Sequence, residues 1–107
     1  MKQAVVTGTS SFVGCHLASE FARNGWAVTA TLSRPRAAYD GIQAARLKWI
    51  GGSASWQVLD IRDETAVRAF IARVRPDLWV HHAGHAINYG SPNYDMCAGH
   101  AVNVAPL

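Results

Sequence analysis

The stretch that most constrains the fold is residues 4–14, where a short apolar run gives way to a turn of small residues and then to a helical pattern. The apolar run predicts a strand, and Gly8, Ser10 and Ser11 follow it in the turn. Residues this small let a diphosphate approach the backbone, and the free N–H groups and dipole of the next helix favour an anion. We therefore expect a nucleotide cofactor at this turn.

The spacing of the glycines supports the same prediction. In the relaxed dinucleotide pattern G-x-x-G-x-x-G, Gly8 and Gly14 occupy the outer positions and Ser11 replaces the middle glycine. Phe12 and Val13, between Ser11 and Gly14, then contribute to the expected phosphate site at the start of the helix. Taken alone, the stretch is also compatible with an ordinary Gly/Ser turn between a strand and a helix.

The rest of the chain alternates strand patterns with helix patterns. We predict strands over residues 3–7, 26–32, 55–61 and 78–82, and helices after the glycine turn, over residues 37–50 with an interruption at Gly41, and between Asp63 and Pro76. The first helix is expected to bury a stripe that includes Val13, and Trp49 is expected to be buried in the second. This alternation predicts an α/β fold, a Rossmann-type doubly wound parallel sheet that is partial, with about four strands and flanking helices, as one domain over residues 1–107.

The residues after the second strand indicate which dinucleotide binds. An acid about 20 residues beyond the glycines would bind the ribose hydroxyls of NAD, but no acid lies between Glu20 and Asp40. Instead Ser33 and Arg34 follow the strand directly, and a guanidinium matches a 2′-phosphate in charge and geometry. This favours NADP over NAD, although NAD stays open, as does the alternative that Arg34 merely solvates a loop.

The remaining strand ends carry small or polar residues as well. The third strand ends in Asp60 and Ile61, and the fourth leads into His82, Ala83 and Gly84. Because the carboxyl ends of parallel strands meet at one edge of a sheet, we expect all of these residues to surround a common crevice.

With these strand ends in place, the chain resembles the N-terminal half of the extended short-chain dehydrogenase/reductases, the NAD(P)-dependent epimerase/dehydratase group. Residues 7–14 are similar to T-G-x-x-G-F-[IV]-G, residues 60–63 to D-[ILV]-x-D, residues 76–84 to P-D-x-V-[IV]-H-x-A-A, and residues 102–104 to V-N-V. The resemblance implies that Asp60 contacts the adenine and that the segment ending in Gly84 lies beside the nicotinamide and its ribose. It also implies that Asn103 supports the active site.

The resemblance implies an enzyme that transfers a hydride to or from a nucleotide-sugar or a similar hydroxyl or carbonyl substrate. In that group a Tyr-x-x-x-Lys pair carries the proton transfer, yet none of Tyr39, Tyr89 and Tyr94 has a lysine four residues later. We therefore expect a partial protein with no catalytic residues, inactive alone and able to meet its small-molecule substrate only in a full-length form. The alternative is a non-catalytic dinucleotide-binding or redox-sensing module.

Composition limits the other classes of function. The net charge of +3 comes from arginines spread along the chain without a basic block, so we expect no nucleic-acid partner. No apolar run is long enough to span a membrane, and Cys15 and Cys97 suggest neither a disulfide framework nor a metal pair, so we expect a cytoplasmic protein. We expect no metal site at His81, His82 and His85, because adjacent histidines on a strand point to opposite faces. An exposed sheet edge would favour homo-oligomers.

Overall fold

A computed structural model describes residues 1–83 of the chain. One sheet contains four parallel strands, namely β1 Gln3–Val6, β2 Ala27–Leu32, β3 Ser55–Val58 and β4 Leu78–Val80. Across the sheet they lie in the order β3-β2-β1-β4. Three helices connect them, namely α1 Phe12–Arg23, α2 Gly41–Ile50 and α3 Glu64–Val74, with short 3₁₀ turns at Arg36–Ala38 and Gly51–Ser53. The predicted fold class is confirmed: the protein is a partial, doubly wound α/β sheet.

The side chains of β1 alternate between two buried faces of the sheet. Val6 packs with Cys15 and Ala18 of α1, and Ile50 of α2 joins the same cluster. Val5 points the other way and packs in a cluster with Val67 and Phe70 of α3. Helices therefore cover both faces, which is why β1 is apolar along its length from Ala4 onward.

The order of the strands creates a switch point beside β1. The chain moves outward from β1 to β2 and β3 through α1 and α2, and α3 then carries it back to β4 on the other side of β1. In open sheets of this kind the crevice outside the carboxyl ends of the strands is where ligands bind. The switch point places that crevice between the residues that follow β1 and those that follow β4.

Two features of helix packing differ from the prediction. Val13 is 49% exposed, because the buried face of α1 runs through Gly14, Cys15 and Ala18 instead. Trp49 is 53% exposed, whereas its neighbour Ile50 is buried. The predictions that Val13 and Trp49 are buried were therefore wrong, and both side chains lie on the outer surface of their helices.

The third and fourth strands are shorter than the predicted ranges 55–61 and 78–82. The chain remains attached to the sheet beyond β3, since the Leu59 N–H donates to the Leu32 carbonyl at 2.8 Å. Asp63 then caps α3 as predicted, its side chain accepting a hydrogen bond from the Ala66 N–H at 3.1 Å. The shortening of β3 leaves Asp60 in the turn before α3, free of the sheet.

Candidate functional site

A cleft of about 510 Å³ lies at the carboxyl ends of the four strands. Eight of the residues predicted from the sequence line it, namely Gly8, Ser10, Ser11, Ser33, Asp60, Ile61, His82 and Ala83. The fold therefore brings together the ends of all four strands, as the crevice hypothesis requires. Gly84 and Asn103, which were also predicted to contact the cofactor, lie outside the described residues.

Gly8 sets the closest approach between the ends of β1 and β4. Its φ is +68°, and a Cβ at this position would lie 2.7 Å from both the Cα and the N of Ala83. Gly14 is equally constrained, because a Cβ there would collide with the carbonyl oxygen of Gly8. Only glycine fits at either position, so both outer glycines of the pattern are required by the packing.

Thr7 locks the two strand ends together with a buried hydroxyl. Its Oγ1 accepts hydrogen bonds from the N–H groups of His82 and Ala83, each at 2.9 Å, and it lies 3.4 Å from Nδ1 of His81. On the other side, Thr9 donates from its hydroxyl to the carbonyl of Thr31 at 3.0 Å, which ties the turn to the end of β2. These two threonines hold the glycine turn in the middle of the cleft wall.

Ser11 replaces the middle glycine of the pattern without backbone strain. Its φ of −79° and ψ of 162° are extended values that any residue adopts. Its hydroxyl donates to the Gly8 carbonyl at 2.8 Å and accepts from the Gly14 N–H at 3.0 Å. Ser11 is therefore the N-cap of α1 and closes the turn on itself.

The start of α1 leaves backbone donors available beside the cleft. Within residues 1–83 no hydrogen bond takes up the N–H of Phe12 or that of Val13, and both side chains are turned to the surface. The guanidinium of Arg46 lies beside the same turn, where it donates to the Ser10 carbonyl at 3.2 Å. Two free N–H groups, the helix dipole and a nearby cation together favour an anion at this point.

At the far end of the cleft, Asp60 is paired with Arg62. Nε and Nη2 of Arg62 donate to the two carboxylate oxygens of Asp60 at 3.0 and 3.1 Å, and the Arg62 N–H donates to Oδ1 at 3.0 Å. These hydrogen bonds from Arg62 hold the pKa of the Asp60 carboxyl below its ordinary value. The carboxylate therefore stays ionised and can accept a hydrogen bond from a ligand in the cleft.

After β2, three side chains form a compact group at the cleft. The Tyr39 ring is buried, and its hydroxyl lies 3.3 Å from Oγ of Ser33. The guanidinium carbon of Arg34 lies 4.4 Å from the centroid of the same ring. Arg34 itself does not line the cleft but stacks on a residue that does. No carboxylate among residues 1–83 pairs with it.

Six further lining residues were not predicted as site residues from the sequence, namely Thr31, Leu32, Tyr39, Gln43, Leu59 and Arg62. Thr31 and Leu59 adjoin the predicted strand ends, so the alternation of side chains could have found them. Arg62 follows Asp60 by two residues in the quoted D-[ILV]-x-D pattern. Tyr39 comes from the connection before α2 and Gln43 from the first turn of α2, and no motif covers either residue.

The described residues show neither a metal cluster nor a membrane-spanning helix. Among residues 1–83, no three histidine, cysteine or acidic side chains come together to hold a metal ion. In the same part of the chain, every helix is too short or too polar to cross a lipid bilayer. His85 and Cys97 lie outside the described residues.

Comparison with known proteins finds similarity to a family of dinucleotide-dependent enzymes. The family model of the NAD dependent epimerase/dehydratase family matches residues 4–105. No curated protein sequence matches the chain. Among solved structures, a metagenomic short-chain oxidoreductase in complex with NADP is 27% identical, with a TM-score of 0.60 over 78% of this chain and 39% of that one.

A second solved structure, the citronellol catabolism dehydrogenase AtuB from Pseudomonas aeruginosa PAO1, is 30% identical, with a TM-score of 0.61 over 78% of this chain and 36% of that one. The chain thus spans well under half the length of these oxidoreductases. On the match over residues 4–105, the chain belongs to the NAD dependent epimerase/dehydratase family.

Proposed function

We propose that the chain is an NAD(P)-binding Rossmann domain, one domain over residues 1–107, that prefers NADP. The single observation that best supports this proposal is the cleft of about 510 Å³, which is surrounded by the ends of all four strands. Its volume lies in the range of small-molecule and cofactor sites. Membership of a family that is named for its use of NAD supports the same class of ligand.

Different parts of the cleft would contact the pyrophosphate, the adenine and the nicotinamide of a dinucleotide. The pyrophosphate would lie against the glycine turn, where Gly8 lines the cleft and no hydrogen bond within residues 1–83 takes up the N–H groups of Phe12 and Val13 at the start of α1. The adenine would lie near Asp60 and Ile61 at the end of β3.

The nicotinamide end of the cofactor would lie beside His82 and Ala83, across the switch point from Gly8. When bound, the cofactor supplies or accepts a hydride. The role of this part of the chain is to hold the cofactor in place, because Thr7 fixes the backbone of both residues with one buried hydroxyl.

The preference for NADP is supported by Ser33 and Arg34. A 2′-phosphate on the adenosine ribose would be met by the Ser33 hydroxyl and by an exposed guanidinium that no carboxylate of residues 1–83 neutralises. Arginine binds phosphate through charge and a planar fork of donors. The NADP complex of the 27% identical oxidoreductase agrees with this choice.

Titration of the purified chain with NADPH and NADH tests the proposal. We expect both to bind, NADPH more tightly, and we expect Arg34→Asp to weaken NADPH far more than NADH. Arg36→Asp is the matched control, since Arg36 lies in the same segment and also stacks on an aromatic ring at 4.4 Å, but that ring belongs to Trp56, which unlike Tyr39 does not line the cleft. Equal losses for both cofactors in Arg34→Asp would refute the preference, and no binding of either would refute the proposed site.

We further propose that the whole protein transfers a hydride to or from a nucleotide-sugar or a similar hydroxyl or carbonyl substrate, as the family membership suggests. The chain has no Tyr-x-x-x-Lys pair. We therefore expect the chain alone to bind NADPH without oxidising it, measured as constant nicotinamide absorbance in the presence of carbonyl substrates. Turnover by the chain alone would contradict this expectation.

The missing pair also favours a second candidate, a non-catalytic dinucleotide-binding or redox-sensing module. The two candidates differ in how they respond to the oxidation state of the cofactor. A sensor must bind the reduced and oxidised forms with different affinity or with a different conformation. Equal affinities for NADPH and NADP, with the same tryptophan fluorescence in both complexes, would remove the sensor candidate.

A further inference from the structure

We infer that Tyr39 is a positioning residue that sets the choice between NADP and NAD by holding Ser33 and Arg34 in their places. The inference rests on the proposed NADP preference and deepens it. Arg34, the side chain expected to contact the 2′-phosphate, is exposed and has no carboxylate partner within residues 1–83. A long, exposed side chain without a partner samples many rotamers and loses entropy when it binds.

The Tyr39 ring restricts the rotamers of Arg34. The Arg34 guanidinium carbon lies 4.4 Å from the centroid of the Tyr39 ring, well within the range of a cation–π contact. The ring itself cannot move freely, because Tyr39 is only 8% exposed and packs with Leu32 and Leu47. Arg34 is therefore stacked on a fixed surface next to the cleft.

The hydroxyl of the same tyrosine acts on the second predicted phosphate ligand. It lies 3.3 Å from Oγ of Ser33, so one of the two hydroxyls donates to the other. If the Tyr39 hydroxyl donates, the Ser33 hydroxyl keeps its own proton for an anion in the cleft. One buried side chain thus contacts both residues that we expect at the 2′-phosphate, one through its ring and one through its hydroxyl.

This arrangement predicts an effect on selectivity that is separate from stability. Preorganised groups bind more tightly because less entropy is lost on binding. The gain applies only to NADPH, since NADH has no 2′-phosphate for Arg34 to contact. A purely structural role for Tyr39 would instead weaken both cofactors by the same factor.

The test measures the dissociation constants of NADPH and NADH for Tyr39→Leu and Tyr39→Phe. We expect Tyr39→Leu to reduce the preference for NADPH by about two- to fivefold, the factor that corresponds to one exposed cation–π contact. Tyr39→Phe keeps the ring and should retain most of the preference. Trp56→Leu is the matched control. The Trp56 ring packs against the same hydrophobic cluster as Tyr39 but lies under Arg36, so its loss should leave the ratio of the NADPH and NADH dissociation constants unchanged.

A double-mutant comparison separates this inference from the proposed function. In an Arg34→Ala background, Tyr39→Leu should change the ratio much less than it does alone, because only the contact between Tyr39 and Ser33 is then left to lose. If Arg34→Ala lowers the ratio but Tyr39→Leu does not, Tyr39 has no positioning role and only the inference is overturned. If Arg34→Ala itself leaves the ratio unchanged, the proposed NADP preference is wrong.

Should Tyr39→Leu fail to fold, Tyr39→Met takes its place, because it fills the same core position without a ring. Tyr39→Met should favour NADPH less strongly than Tyr39→Phe, which keeps the ring under Arg34. An equal preference for NADPH in Tyr39→Met and in the unaltered chain would overturn the inference.

Discussion

The contact between the ends of β1 and β4 predicts a large difference between two glycine substitutions. Gly8 and Gly25 both have positive φ, +68° and +87°, so alanine pays a similar conformational cost of about 1–2 kcal/mol at each. Reduced freedom of the unfolded chain offsets about 0.4–1 kcal/mol of that at both positions. The two positions differ in their surroundings: a Cβ at Gly25 meets nothing within 4 Å, whereas one at Gly8 meets the Ala83 backbone at 2.7 Å.

The two variants should therefore differ in unfolding free energy by the cost of the steric clash with the Ala83 backbone, which only Gly8→Ala introduces. Backbone atoms cannot rotate away as a flexible side chain does, so we take the usual cost of overpacking, about 1–3 kcal/mol, for Gly8→Ala alone. Gly8→Ala should thus lower the free energy of unfolding by about 1–3 kcal/mol more than Gly25→Ala. For a domain whose total stability is about 5–15 kcal/mol, this is a substantial fraction.

Urea denaturation followed by tryptophan fluorescence measures both free energies, and NADPH titration of the folded variants measures the effect on the site. Gly25 lies at the far end of α1, so Gly25→Ala should bind NADPH as the unaltered chain does. Gly8→Ala should bind it more weakly, because the turn has moved away from the end of β4. Equal losses of stability in the two variants would show that the contact with Ala83 is not the constraint we describe.

Three further predictions concern single hydrogen-bonding groups. Thr7→Val leaves two partly buried N–H groups without their acceptor and should cost about 1–3 kcal/mol of unfolding free energy, and Thr7→Ser should restore most of it. Ser11→Ala removes the N-cap of α1 and should cost about 1 kcal/mol in the same urea titration, with Ser11→Gly costing only a few tenths. Because Arg62 lowers the pKa of Asp60 in the folded chain, the pair stabilises the fold above the ordinary carboxyl pKa, and this contribution is lost as pH falls through the lowered value. Both side chains are about half exposed, so Asp60→Asn should cost at most about 1 kcal/mol at neutral pH, less in high salt, and nothing in acid; a cost independent of pH would contradict the pairing.

The fold could be predicted from the sequence because local signals and global topology agree. Apolar runs alternate with helical patterns, and parallel strands need such crossovers, so the sheet and its buried first strand follow from the pattern. The pattern failed at Val13 and Trp49, where an apolar residue lies outside the buried face of its helix. At Val13 the orientation of α1 is set by Gly14, which must face the Gly8 carbonyl, and this constraint comes from packing.

The candidate site was predictable where a residue follows the end of a strand or belongs to the glycine pattern after β1. Gly8, Ser33 and Asp60 were found because strand ends converge whatever the details of the loops. Tyr39 was missed because it reaches the cleft from the connection before α2, where a 3₁₀ turn and Gly41 reverse the chain. Arg46 was missed because its contact with the Ser10 carbonyl joins residues 36 positions apart.

Ser11 shows how a departure from a motif can be judged by geometry. A glycine is required where φ is positive or where a Cβ has no room, as at Gly8 and Gly14. The middle position meets neither condition, since its backbone is extended and its side chain points back into the turn. The serine hydroxyl uses the Gly14 N–H and leaves the N–H groups of Phe12 and Val13 for an anion. The serine therefore adds a helix cap and leaves free the backbone donors that the proposed anion site would use.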